Sequence, residues 1–200
     1  MRRIALIIAT LLALLAFTSP AMASGGGHAI KPATQQGVEV NNTSTAYLAE
    51  TFGALCVDTG GVVQGNYAYN GNCPGRTFTF RSTGHTYNDP QDLCPIAGCP
   101  TYTVDAGPNM GTGVEECIAS TNSRNFVVLK PCTGSTGVNW SLLCTSNTSP
   151  CTRGILINNY ASDSTSTTVV LSGDSTHGDR VKPHCWQCTA GELQQWDLLP

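Results

Sequence analysis

The residues of this 200-residue chain with the clearest chemical potential are its ten cysteines: Cys56, Cys73, Cys94, Cys99, Cys117, Cys132, Cys144, Cys151, Cys185 and Cys188. The last two sit in Pro183-His184-Cys185-Trp186-Gln187-Cys188, a Cys-x-x-Cys that fits a disulfide, half of a zinc site or a thiol redox pair, with His177 nearby. A redox pair needs a βαβ setting and a helix N-terminus to lower a thiol pKa, and the sequence supplies neither. A disulfide is therefore expected here, with no metal and no cofactor. Asp89 and Asp92 could form the carboxylate pair that glycoside hydrolysis needs, but acidic residues in a Pro-containing loop are ordinarily just solvated. The four histidines, His28, His85, His177 and His184, accompany no Gly-x-Ser-x-Gly and no His-Glu-x-x-His. Catalysis is not expected.

Whatever positions these groups does so outside the reducing cytosol. Arg2 and Arg3 precede an apolar run over residues 4–17, and Ala21-Met22-Ala23 supplies small residues for cleavage before Ser24. Residues 1–23 thus read as a signal peptide and the mature protein as secreted and extracellular. The cut removes two of the 10 basic residues and none of the 13 acidic ones, while all the cysteines remain. An even cysteine count in an exported chain indicates disulfides, and the short consecutive spacings favour neighbours as partners. The pairs are Cys56 with Cys73, Cys94 with Cys99, Cys117 with Cys132, Cys144 with Cys151, and Cys185 with Cys188, a more distant partner for Cys188 remaining open. A formal charge of −3 gives no field to gather phosphates, so nucleic acid is not an expected partner. Beyond the leader no apolar run has the length to insert in a membrane.

Residues 24–44, opening on Ser24-Gly25-Gly26-Gly27, have no period and read as a flexible leader. From residue 45 to 200 the chain is short Thr-, Val- and Asn-rich runs between turn clusters such as Asn70-Gly71-Asn72, with no helical period sustained for three turns. The expectation is one all-β domain. It repeats: the stretch from Cys132 through Trp140 to Leu142 aligns without gaps on that from Cys188 through Trp196 to Leu198, and a looser copy runs from Cys73 to Phe78 and Phe80. Opening strands precede these copies at residues 55–58, 116–119 and 155–158. Three such units cannot each bury an apolar face alone and must close round one core.

With Gln194-Gln195-Trp196 at its end, the chain resembles the ricin-B-like β-trefoil lectins, whose repeats open with Cys-Leu-Asp-like strands and close with Gln-x-Trp. The resemblance spans about residues 45–200. It implies a β-trefoil of three imperfect repeats, with bridges Cys56 to Cys73 and Cys117 to Cys132, and with the remaining clips on inserted loops. Phe78 stands where the first repeat has lost the motif; Trp140 and Trp196 read as core residues and Gln194 as a brace of the fold.

A sugar site needs an aromatic face for the ring's C–H patch and short fixed polar groups for its hydroxyls. By the resemblance these are an Asp after the opening cysteine, an aromatic two residues before the second cysteine, and an Asn before Gln-x-Trp. The first repeat keeps Asp58, which has a second reading as a turn cap; its aromatic position is Gly71, with Tyr67 and Tyr69 close by. The second repeat has Ala119, Lys130 and Gly137 and reads as dead. The third has Asn158 or Asn159 at the acidic position and Trp186 at the aromatic one, with Leu193 for the Asn. The expected function is a secreted, lectin-like carbohydrate-binding module, the alternative being a protein-binding or inhibitor module with eroded sugar sites.

Overall fold

The structure, a computed structural model, describes residues 43–50, 55–120, 126–173, 180–187 and 194–199. The expected signal peptide, nearly all of the expected leader, and His28, His177, Cys188 and Leu193 lie outside the described residues.

Among the described residues twelve strands run four to a repeat. The first repeat has β1 (Thr43–Glu50), β2 (Leu55–Asp58), β3 (Tyr69–Asn72) and β4 (Thr77–Tyr87). The second has β5 (Cys99–Pro108), β6 (Glu115–Ala119), β7 (Val128–Pro131) and β8 (Asn139–Cys144). The third has β9 (Arg153–Asn158), β10 (Val169–Ser172), β11 (Lys182–Cys185) and β12 (Trp196–Leu199), with a helix, α1 (Asn159–Thr165), between β9 and β10. Antiparallel pairing links β1 to β4, β4 to β5, β5 to β8, β8 to β9, β9 to β12 and β12 back to β1, which closes a six-stranded barrel. The other six strands form the hairpins β2–β3, β6–β7 and β10–β11.

The hairpins meet on a pseudo-threefold axis marked by the backbone itself. The amide of Ala68 donates to the Val127 carbonyl at 3.0 Å, Val127 donates to Val181 at 3.0 Å, and Val181 donates back to Ala68 at 2.9 Å. All three residues are buried. This is a β-trefoil, and the ring of bonds fixes which residues of the three repeats correspond.

Alternation builds the core. Phe78 and Phe80 on β4, Tyr102 and Val104 on β5, Trp140 and Leu142 on β8, and Trp196 and Leu198 on β12 point inward, separated by neighbours that are more exposed or less apolar. A buried indole N–H must find an acceptor. Trp140 Nε1 donates to the Ile118 carbonyl at 2.9 Å and Trp196 Nε1 to the Leu171 carbonyl at 3.0 Å. Phe78 has no such donor, and the corresponding Val57 carbonyl accepts the Arg76 amide instead, at 3.1 Å.

These bonds correct one expectation. Leu171 in β10 stands where Ile118 stands in β6, so the third repeat's hairpin opens at Val169–Ser172 and residues 155–158 are a barrel strand, β9. The run Ile155-Leu156-Ile157-Asn158 imitated an opening strand because the true one has lost its cysteine and follows an inserted helix. Asn158 caps that helix, its side chain accepting from the Ala161 amide, and Ser166 ends it in the left-handed region.

Four disulfides join described residues: Cys56–Cys73, Cys94–Cys99, Cys117–Cys132 and Cys144–Cys151. The first and third tie the first two hairpins, while the second and fourth clip the β4–β5 and β8–β9 connections between repeats. Cys185 is also disulfide-bonded; Cys188, its expected partner, lies outside the described residues. In the third hairpin the two half-cystine places belong to Val170 and Trp186. Trp186 donates its amide to the Thr168 carbonyl at 2.9 Å just as Cys132 donates to Glu115 at 2.9 Å. Its half-buried ring packs on the cluster of Ile155, Ile157 and Val170.

Candidate functional site

Asp58 ends β2 directly opposite Tyr69, the first residue of β3. Its Oδ1 accepts the amides of Thr59 at 2.6 Å and Gly60 at 3.1 Å, so the carboxylate does cap the turn. Oδ2 is the oxygen that the turn does not use. Arg76 holds the same turn from behind: Nη2 donates to the Gly60 carbonyl at 3.3 Å and Nη1 to the Ala106 carbonyl of the second repeat at 3.2 Å, with Nε 4.0 Å from Asp58 Oδ1. The carboxylate is thereby fixed in place before any ligand arrives.

The aromatic position expected to be empty at Gly71 is filled from two residues away. Residues 69 and 71 lie on the same face of the strand, and the Tyr69 ring runs over the space that a side chain at 71 would take. A β-carbon on Gly71 would stand 3.1 Å from Asp58 Cβ and 3.4 Å from Tyr69 Cε2. A side chain at 71 would crowd Asp58 by a few tenths of an ångström and touch the Tyr69 ring, so the glycine leaves the pair undisturbed.

The equivalent places elsewhere carry other chemistry. In the second repeat Ala119 faces Val128, followed by Lys130. Gly137 is closed off there, since a β-carbon on it would come within 1.7 Å of the Ser120 carbonyl oxygen at a φ of +80°. In the third repeat Ser172 faces Lys182.

The third-repeat candidates are placed differently from expectation. Asn158 is wholly buried, its Nδ2 donating to the Gly137 carbonyl at 2.8 Å and its Oδ1 accepting from Ala161, so the amide is engaged within the fold. Asn159 accepts from the Ser141 hydroxyl at 2.8 Å and reaches Thr101 at 3.4 Å. Trp186 takes a half-cystine's place, as described above. Its ring, expected to face a sugar, is partly buried against a core cluster instead. Gln194 accepts the Gln187 amide at 2.9 Å and donates to Ser172 and the Cys185 carbonyl, both at 3.1 Å, bracing the hairpin end.

Asp92 is exposed as expected, but Asp89 is not solvated: it is buried, accepting the amides of Cys94 and Gln91 and the Thr168 hydroxyl, so its carboxylate is engaged within the fold. These bonds dock the clipped β4–β5 loop on the third repeat. Beside it the Tyr87 hydroxyl donates to Asp163 at 2.8 Å, and burial first, then that carboxylate, hold its pKa well above the ordinary tyrosine value. An open cleft of about 400 Å³ lies between Thr145, Thr152 and the Arg153–Asp197 ion pair.

A further group escapes single-sequence reading. Tyr67, Phe126 and Arg180 each precede one residue of the axial hydrogen-bond ring and so occupy one threefold-related position. The Arg180 guanidinium lies 3.8 Å from the Tyr67 ring centroid and 5.1 Å from that of Phe126, and the two rings meet edge to face. Only the correspondence of the repeats could have pointed to Phe126 and Arg180, and the displaced third opening strand hid it.

Neither a protein-family model nor a curated protein matches the sequence. Among solved structures, the chain is similar to a designed three-fold symmetric protein, ThreeFoil, at 12% identity with a TM-score of 0.51, covering 78% of this chain and 98% of that one. At that identity the likeness speaks for the fold alone.

Proposed function

We propose that this protein is an exported, non-catalytic carbohydrate-binding module whose sugar site is the first hairpin. The observation that carries the reading is the juxtaposition of Asp58 and Tyr69 across β2 and β3, beside Gly71. The Tyr69 ring offers a surface for the C–H patch of a pyranose. Asp58 Oδ2 accepts from adjacent sugar hydroxyls with its geometry already set by the turn and by Arg76. No metal takes part. The five expected disulfides, four of them between described residues, suit an extracellular setting. Among the described residues no helix is long and apolar enough to cross a membrane.

A shallow site of this kind exchanges many water hydrogen bonds for few protein ones, so a dissociation constant of roughly millimolar, about −4 kcal/mol, is the scale expected. A glycan array followed by titration tests it. Tyr69→Ala and Asp58→Ala should each reduce binding below detection while the circular dichroism stays that of the parent. An array without binders, or undiminished binding by both variants, would refute the assignment.

A second reading, a protein-binding module, is favoured by one observation. Ile96 is fully exposed at the tip of the Cys94–Cys99 loop, a rigid presentation of a single apolar side chain. It moves ahead if no saccharide binds.

A further inference from the structure

We infer that the sugar site extends from the first hairpin toward the pseudo-threefold axis, and that Arg180 there selects a saccharide bearing a carboxylate, as in a uronic acid chain. The inference rests on the carbohydrate reading of Asp58 and Tyr69 and adds the class of sugar.

Three observations carry it. Tyr69 and Arg180 are paired in an antiparallel bridge, so their side chains leave the same face. Directly opposed residues in such a bridge have β-carbons about 4.5–5.5 Å apart, which one sugar residue spans. Next, Arg180 is held by aromatic faces. Its guanidinium carbon lies over the Tyr67 ring, 3.8 Å from the centroid, and among the described residues it enters no ion pair. Stacking covers one face of the guanidinium and leaves the N–H groups round its edge, a planar fork that matches a carboxylate. Finally, the cation is out of keeping with its protein, in which 13 acidic residues stand against 10 basic ones. At the other two threefold-related positions the residues are the aromatic Tyr67 and Phe126, each about two-fifths exposed. The surface from Asp58 through Tyr69 to Arg180 and Tyr67 therefore offers a hydroxyl acceptor, an aromatic shelf and a carboxylate donor in order.

The test uses the mature protein, titrated at low salt with short oligogalacturonates and oligomannuronates and with their methyl esters, which keep the ring and lose the charge. Oligoglutamate serves as the acidic chain without sugars. The acid should bind roughly tenfold more tightly than its ester, with the advantage shrinking as salt is added. Arg180→Gln should abolish that preference and leave the ester's affinity unchanged, and Arg180→Lys should restore part of it. Equal affinity for acid and ester, or an acid preference that survives Arg180→Gln, would overturn the inference. So would oligoglutamate binding as tightly as the uronate, which would mean that the surface reads charge alone. Equal binding that disappears in Tyr69→Ala would remove this inference and leave the first-hairpin site standing. Absence of binding to every uronate ligand also overturns it, and the neutral members of the glycan array then decide the first-hairpin site independently.

Discussion

The first and third hairpins occupy equivalent places round one axis and close themselves by different means. In the first, Cys56–Cys73 ties the strands, and the outward residues Asp58 and Tyr69 are left to be polar and accessible. In the third, Val170 and Trp186 stand in the half-cystine places, and a tryptophan that would make a good ligand platform is drawn against the cluster that includes Ile155 and Ile157. A covalent tie at these two places releases the neighbouring surface from packing duty; a hairpin without one there must close with the large side chains it has.

The strongest way to break the contrast is to untie the first hairpin. Cys56→Ala with Cys73→Ala should cost about 2–4 kcal/mol by chemical denaturation. It should also weaken sugar binding, because the turn held by Asp58 and Arg76 loses its anchor. Trp186→Ala should cost about 2 kcal/mol, less than a fully buried tryptophan, through lost packing against the cluster that holds Ile155, Ile157 and Val170. First-hairpin binding should be unchanged in that variant; a loss of saccharide binding in a folded Trp186→Ala protein would return Trp186 to the list of ligand contacts. The smallest effect is expected from making the hairpins alike. Val170→Cys with Trp186→Cys should form a bridge detectable by non-reducing peptide mapping. The net stability change should be within about 1 kcal/mol, since loop closure offsets the packing removed.

The parts of this fold that could be read from sequence are those whose chemistry tolerates little substitution. Trp140 and Trp196, eight residues after a cysteine each, marked the ends of two repeats because an indole both fills the core and bonds a hairpin carbonyl. The neighbour disulfides Cys94–Cys99 and Cys144–Cys151 were legible because their loops are too short to span anything else. The third opening strand was not, because Val169-Val170-Leu171 is buried on both faces and shows no alternation, while the imitation at residues 155–158 ended in an Asn. At the site, Asp58 was legible as a residue but not as to role: its turn-capping oxygen and its outward oxygen belong to one carboxylate. Gly71 read as a loss, whereas in three dimensions Tyr69, two residues away, lies beside that place. Arg180 gave no local signal, because its meaning lies in the rings of Tyr67 and Phe126, which are distant in sequence.

The barrel seam has a consequence for the order of events in folding. β1, the first strand, pairs with β12, the last. Until Trp196–Leu199 arrives, β1 and β9 each present an unpaired edge, and the backbone donors and acceptors along them are open to any extended chain. Closure must therefore wait for the whole domain to be present, and contacts of such long sequence separation form slowly. A chain shortened by its final strand would keep two adhesive edges, so self-association and not simple unfolding is the expected fate of such a truncation.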